Sequence, residues 1–249
     1  MRFFIPILVS SFIFSQNIWN GISVATPDNL DAITTNPAGL GVERGEQTGT
    51  HIYIDSKYTN SSSYRNHGFG YDLTYNIHSH GIFKPEDGNI GFGFSPTKNL
   101  YTGMKWNKHS FIDLGLLYRP FNFISIGSIH NFSDDFENYY HSTLGVAIRP
   151  FFNHRLTIGA DYNDANSGNL TYHFSSELID GILISGSWNA TTENDLQINL
   201  GFNLGKQTGY LSSNINTTND TYSSGFGFYT DTQTSKSIFR NVKWEETKP

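Results

Sequence analysis

From Asp195 to Leu204 the chain reads Asp195-Leu196-Gln197-Ile198-Asn199-Leu200-Gly201-Phe202-Asn203-Leu204, apolar at every second position. Side chains of a strand point alternately to opposite faces, so a period of two builds a ribbon with one greasy and one wet side. Gln197, Asn199 and Asn203 fall on the wet side, and Leu196, Ile198, Leu200 and Phe202 on the greasy one. The same alternation places Ile112, Leu114, Leu116 and Tyr118 opposite Asp113, Gly115 and Arg119. It recurs with Leu144, Val146 and Ile148 opposite Gly145, Ala147 and Arg149, and with Leu156, Ile158 and Tyr162 opposite Thr157, Gly159 and Asp161. About 200 residues carry the pattern, which suits one all-β unit better than two domains.

The polar faces consist of Gly, Asn, Ser and Thr with scattered charges. A soluble sandwich needs a second apolar layer there, whereas a membrane barrel turns its apolar face to lipid and keeps a polar lumen. Composition agrees: charged residues make up 15% of the chain and aromatics another 15%, against roughly 25% charged in soluble proteins. Ribbons near 48–58, 66–77, 88–97, 99–106, 109–119, 122–131, 138–149, 154–163, 168–176, 180–189, 194–204, 207–216, 221–230 and 236–244 give about fourteen, an even number as bacterial barrels require. A count of twelve results if 99–106 is a loop and 76–84 prolongs one strand. The sequence therefore predicts an all-β, antiparallel transmembrane barrel of 12–14 strands spanning 48–244.

The chain opens on Arg2, an apolar run from Phe3 to Phe14, and small Ser15 before Gln16-Asn17. Such a run is too short for a membrane helix, which needs about 20 apolar residues, and has the form of a signal peptide over 1–15. Residues 16–47 lack the alternation. Within them an Asp- and Asn-containing stretch leads into Asn36-Pro37-Ala38-Gly39-Leu40. This motif, shortly after an exported start and ahead of a run of strands, resembles the hallmark of FadL-type and PorV-type outer-membrane barrels. The resemblance implies a 14-stranded barrel in the bacterial outer membrane, with residues 16–47 inside it as a plug. It also implies passive uptake of small hydrophobic molecules or, as in PorV-type relatives, a non-conducting barrel serving a secretion partner. On residue types alone, Asn36-Pro37 starts a turn and Leu40 packs in a core.

An internal repeat has an offset of thirty residues: Gly115-Leu116-Leu117-Tyr118-Arg119-Pro120-Phe121 returns as Gly145-Val146-Ala147-Ile148-Arg149-Pro150-Phe151. The offset fits one hairpin, placing both Arg-Pro ends on one rim with short turns and stretches such as 131–138 and 191–195 on the other. This Tyr-Arg-Pro pattern loosely resembles barrels that precede the protease portion of signal-peptide-peptidase-like (SppA-like) proteins. With the polar run Glu245 to Pro249, it leaves two readings of 245–249: a short frayed tail on the barrel, or the start of a linker into a longer protein.

Chemistry is sparse. The chain has no cysteine, which excludes thiolate metal sites, cysteine nucleophiles and disulfides. His78 and His80 share a strand face without a third ligand in register. Asp134-Asp135-Phe136-Glu137 is an acidic stretch without a calcium-loop signature. No Gly-x-Ser-x-Gly elbow occurs. A net charge of −6 with scattered Lys and Arg gives no footprint for nucleic acid. The expectation is a non-enzymatic barrel with no cofactor and no metal, whose partners are outer-membrane lipid and either a hydrophobic small molecule or a secretion protein. A soluble exported β-protein is the competing class.

Overall fold

The computed structural model describes residues 23–42, 45–54, 59–76, 85–109, 111–153, 155–165, 168–190, 195–203, 207–216 and 221–231. The signal peptide expected at 1–15, the first residues of the plug segment, His78 and His80, the ribbon at 236–244 and the tail at 245–249 lie outside the described residues.

A single helical turn, α1 (Ala32–Thr35), and a 3-10 turn (Pro37–Gly41) precede the strands. The strands are β1 (Gln47–Ile54), β2 (Thr59–Asn66), β3 (Phe69–Asn76), β4 (Asp87–Thr97), β5 (Leu100–Asn107), β6 (Phe111–Phe121) and β7 (Ile124–Ser133). There follow β8 (Tyr139–Ile148), β9 (Leu156–Asn163), β10 (Asn169–Ile179), β11 (Ile182–Asn189), β12 (Asp195–Asn203), β13 (Gln207–Asn216) and β14 (Thr221–Asp231). Each pairs antiparallel with its sequence neighbours, as the alternation predicts. β1 pairs with β14 from Gln47 opposite Asp231 to Ile54 opposite Ser224, which closes the sheet on itself. Closure leaves no strand edge with unpaired backbone groups.

The two rims differ. At one, strands are joined by pairs such as His67-Gly68, Lys98-Asn99, Asn122-Phe123 and Asp180-Gly181. At His67 and Gly68 φ is 44° and 80°, positive at both central positions as the tightest hairpin turn requires. Longer connections, including 134–138, lie at the other rim, and the connection 149–155 between β8 and β9 is the exception at the rim of tight turns.

Polarity is inside out. Ile90, Phe92, Phe94, Leu116, Leu144, Val146 and Ile158 are exposed on the outer face, with Phe94 at 63%. Ser63, Asp72, Asn89, Lys105, Asp113, Ser125 and Asp161 are buried on the inner one. Water as the surrounding solvent would favour the reverse.

Several expectations need correction. β2, Thr-Asn-Ser-Ser-Ser-Tyr-Arg-Asn in sequence, was not foreseen as a strand of its own, because Tyr64 is its one large apolar residue and no alternation marks it. Among the described residues the ring closes through β14 and includes β2, which the expected list of ribbons lacked, while the ribbon expected at 236–244 lies outside them. The ribbon expected near 99–106 is β5, so the alternative reading of it as a loop falls away. Pro120 does not end its strand: it sits inside β6 where the pairing with β7 shifts register between Tyr118 and Phe121, a bulge that spares the missing N–H.

Candidate functional site

The features that distinguish this sheet lie on its inner face, where residues 23–42 are packed. Asn36 caps the 3-10 turn, its Oδ1 accepting from Ala38 N at 3.1 Å, and Pro37 follows at the first position, where its missing N–H costs nothing. The Asn36 amide then ties this turn to its own chain and to the wall. Its Nδ2 donates to Val24 O at 2.8 Å, Leu116 O at 3.2 Å and Ser128 O at 3.3 Å. Leu40 packs with Ala32 and Ile33, while Ala38 and Val42 pack against Tyr101 of β5 and Leu117 of β6. All five residues of the motif, Asn36, Pro37, Ala38, Gly39 and Leu40, are buried.

Glycines make the seat. Gly93, Gly103 and Gly115 stand directly opposite one another across β4, β5 and β6, forming a strip without side chains. A Cβ at Gly103 would lie 2.2 Å from Pro37 O, one at Gly115 2.2 Å from Asn36 Oδ1, and one at Gly127 2.1 Å from Val24 O. The strand glycines of the sequence are thus positions of close backbone approach.

Charged side chains of the wall grip the segment at both ends. Arg119 and Arg149, the paired members of the thirty-residue repeat, each place Nη2 on one oxygen of the Asp28 carboxylate. Arg119 Nε also donates to Ser125 Oγ at 3.3 Å, and Ser125 Oγ donates to Ala25 O at 2.5 Å. From β2, Arg65 reaches four carbonyl oxygens: Asp28 at 3.2 Å, Asn29 at 2.9 Å, Gly39 at 3.2 Å and Val42 at 2.7 Å. Asp161 of β9 accepts from Ser23 Oγ at 2.6 Å and Val24 N at 2.9 Å, with His173 Nε2 at 3.2 Å. Lys105 of β5 lies 2.5 Å from Asp113 and 3.4 Å from Thr34 O.

Asp31 is the exception to this pairing. It is completely buried in the segment; Oδ1 accepts from Asn29 N at 2.8 Å, and Oδ2 has no hydrogen-bond partner among the described residues. Burial pushes its carboxyl up to about 8, the Asn29 N–H opposing and the Asp28 charge reinforcing that shift.

Gln197, Asn199 and Asn203 are buried on the inner face of β12, while Ile198 and Phe202 are exposed on its outer face. Gln197 Nε2 donates to Asn199 Oδ1 at 3.4 Å, and Asn199 Nδ2 to Ser185 Oγ at 3.3 Å. The acidic stretch 134–137 is a loop at the rim of longer connections. There the Ser133 hydroxyl and the Glu137 N–H hold Asp135 below the usual carboxylate range. Among the described residues no group of three or more His, Cys, Asp or Glu is placed to hold a metal ion. Sequence reasoning did not single out Asp28, Arg65 or Asp161. The repeat did mark Arg119 and Arg149 as polar-face positions, but the segment expected inside holds both Asp28 and Asp31, and nothing in the sequence chose between them.

No family model and no curated protein matches the chain. Among solved structures it is similar in fold to the Acinetobacter baumannii outer membrane protein Omp33, at 9% identity and a TM-score of 0.56, over 77% of this chain and 99% of that one. It is likewise similar to a mutant of the Rh. blastica porin, at 8% identity and a TM-score of 0.51, over 76% and 100%. At such identities the likeness is one of fold. These neighbours are a porin and an outer-membrane protein, and they add nothing specific to the FadL-type and PorV-type resemblance of residues 36–40.

Proposed function

We propose that the chain is a bacterial outer-membrane β-barrel channel, not an enzyme, whose interior is closed by the N-terminal segment. The observation that carries this reading is the inverted polarity: large apolar side chains cover the outside of a closed sheet whose inner face holds paired charges and amides. A closed sheet is one of the two structures that satisfy every backbone polar group in lipid. The fold likeness to a porin and to Omp33 supports the same location. The rim of short turns faces the periplasm, as in barrels of this architecture.

Residues 23–42 act as a plug, a role that the Asn36–Leu40 motif and its resemblance suggested. Gln197, Asn199 and Asn203 face the lumen on the far wall. Their amides, and the hydroxyls and charges elsewhere on the inner wall, suit passage of small polar solutes better than the hydrophobic uptake implied by the FadL-type resemblance. A second reading draws on how thoroughly the segment is held: a non-conducting barrel of PorV type that serves a secretion partner. Co-purification from solubilised membranes separates the two, a stoichiometric protein partner favouring the scaffold. The membrane assignment itself is tested by fractionating cells. The protein is expected in the outer membrane with gel mobility that shifts on boiling; recovery in the soluble periplasm with no shift would contradict it.

A further inference from the structure

Asp28 is held in a way that looks like ligand binding. Two guanidinium groups, from strands two apart in the sheet, meet on the two oxygens of one carboxylate. The side chains of Arg119 and Arg149 are only 1% and 3% exposed. Planar guanidinium forks are the side chains best matched to carboxylates, and burial strengthens each bond.

The wall sets the position of this pair, largely without Asp28. Arg119 N donates to Asn99 O and Arg149 N to Phe123 O, both at 2.8 Å, fixing both backbones at the short-turn rim. Ser125 Oγ orients the Arg119 Nε, and Arg119 Nη1 is buried with no hydrogen-bond partner among the described residues. The receptor is thus built into β6 and the residue that directly follows β8, and its occupant belongs to a segment with little regular structure of its own. Such a site is preorganised for an oxyanion whichever molecule supplies it.

We propose that Arg119 and Arg149 form a carboxylate-binding site that Asp28 fills from within, and that a small carboxylate solute at the short-turn mouth takes its place and frees the segment. The inference rests on the plugged-barrel reading and adds to it a ligand class and a trigger. Because Asp28 is tethered, it competes at an effective concentration on the order of millimolar or above. A free monocarboxylate must therefore act in that range, and larger solutes with additional contacts act below it.

The test is chemical rescue of the whole chain in detergent micelles, with sodium acetate compared against sodium chloride at equal ionic strength. In Asp28→Ala the site is vacant: acetate is expected to raise the melting temperature by several degrees, saturably, where chloride does not. The isosteric Asp28→Asn should respond more weakly, because its amide still occupies the space. In the double variant Asp28→Ala, Arg119→Gln the acetate effect should vanish. If Asp28→Ala refolds only in part, the yield of boiling-sensitive barrel in acetate against chloride replaces the melting temperature. Equal behaviour in the two salts, or rescue that survives loss of Arg119, overturns the proposal. Both results leave the barrel reading standing, since the boiling shift reports that separately.

Discussion

At the scale of single residues, Asp31 and Gly103 give the sharpest tests of how the segment is seated. Asp31 is neutral when buried, with its carboxyl raised to about 8, whereas in a released, hydrated segment it returns toward 3.8. The seated form therefore keeps a proton that the released form gives up. Seating is strongest at or below about pH 4, weakens as pH rises to about 8 and is level beyond, by at most about 1.4 kcal/mol per pH unit within that window. Protease cleavage within 23–42 should rise with pH across this range, and Asp31→Asn should remove the dependence. The charges facing it, Asp28 and Arg65, form part of the grip itself, so cleavage that is just as pH-dependent in Asp31→Asn would place the titration elsewhere.

Gly103 tests the backbone contact. A side chain there meets Pro37 O at 2.2 Å, so Gly103→Val must push the segment off the wall. Overpacking of this kind costs about 1–3 kcal/mol, and cleavage of 23–42 should rise accordingly. Gly209, whose nearest neighbour to an added Cβ is Gly227 O at 4.0 Å, serves as control, and Gly209→Ala should leave cleavage unchanged.

At the scale of elements, most strands were legible because large apolar residues recur at alternate positions on their outer faces. β12, for example, carries Leu196, Ile198, Leu200 and Phe202 on one side. β2 was not legible, since Ser61, Ser62 and Ser63 give no period. It becomes a strand because β1 and β3 both pair with it, a constraint that exists only once the ring forms. The motif Asn36–Leu40 could be recognised, and the polar face of β12 could be assigned. The grip of Arg119 and Arg149 on Asp28 could not, because nothing local to residue 28 records what lies across 91 and 121 positions of sequence.

The outward face of the strands has a direct energetic test. Leu144, 55% exposed, lies within β8 (Tyr139–Ile148). In a bilayer Leu144→Arg should cost about 2–4 kcal/mol if the residue is near the midplane. At a solvent-exposed position of a soluble protein the change would stay within about 0.5 kcal/mol. Unfolding titrations in lipid vesicles measure the difference.

For the whole molecule, the inverted polarity and the glycine-lined seat belong together in the proposed reading: a closed sheet that lipid can surround, with residues 23–42 packed on its inner face. The barrel supplies rigid strands, and the segment contributes short turns whose ties to the wall include Asn36, Asp28, the Ser23 and Val24 contacts with Asp161 and the carbonyls that Arg65 gathers. The pairing of β1 with β14 is made by residues outside the segment, so the two parts can be separated by experiment. The most direct measurement is single-channel conductance in a planar bilayer, comparing the full chain with a variant lacking residues 23–42. The full chain should show little or no conductance, and the deletion variant should form stable open channels while keeping its boiling-sensitive mobility. Equal conductance from two equally folded proteins would contradict the plug.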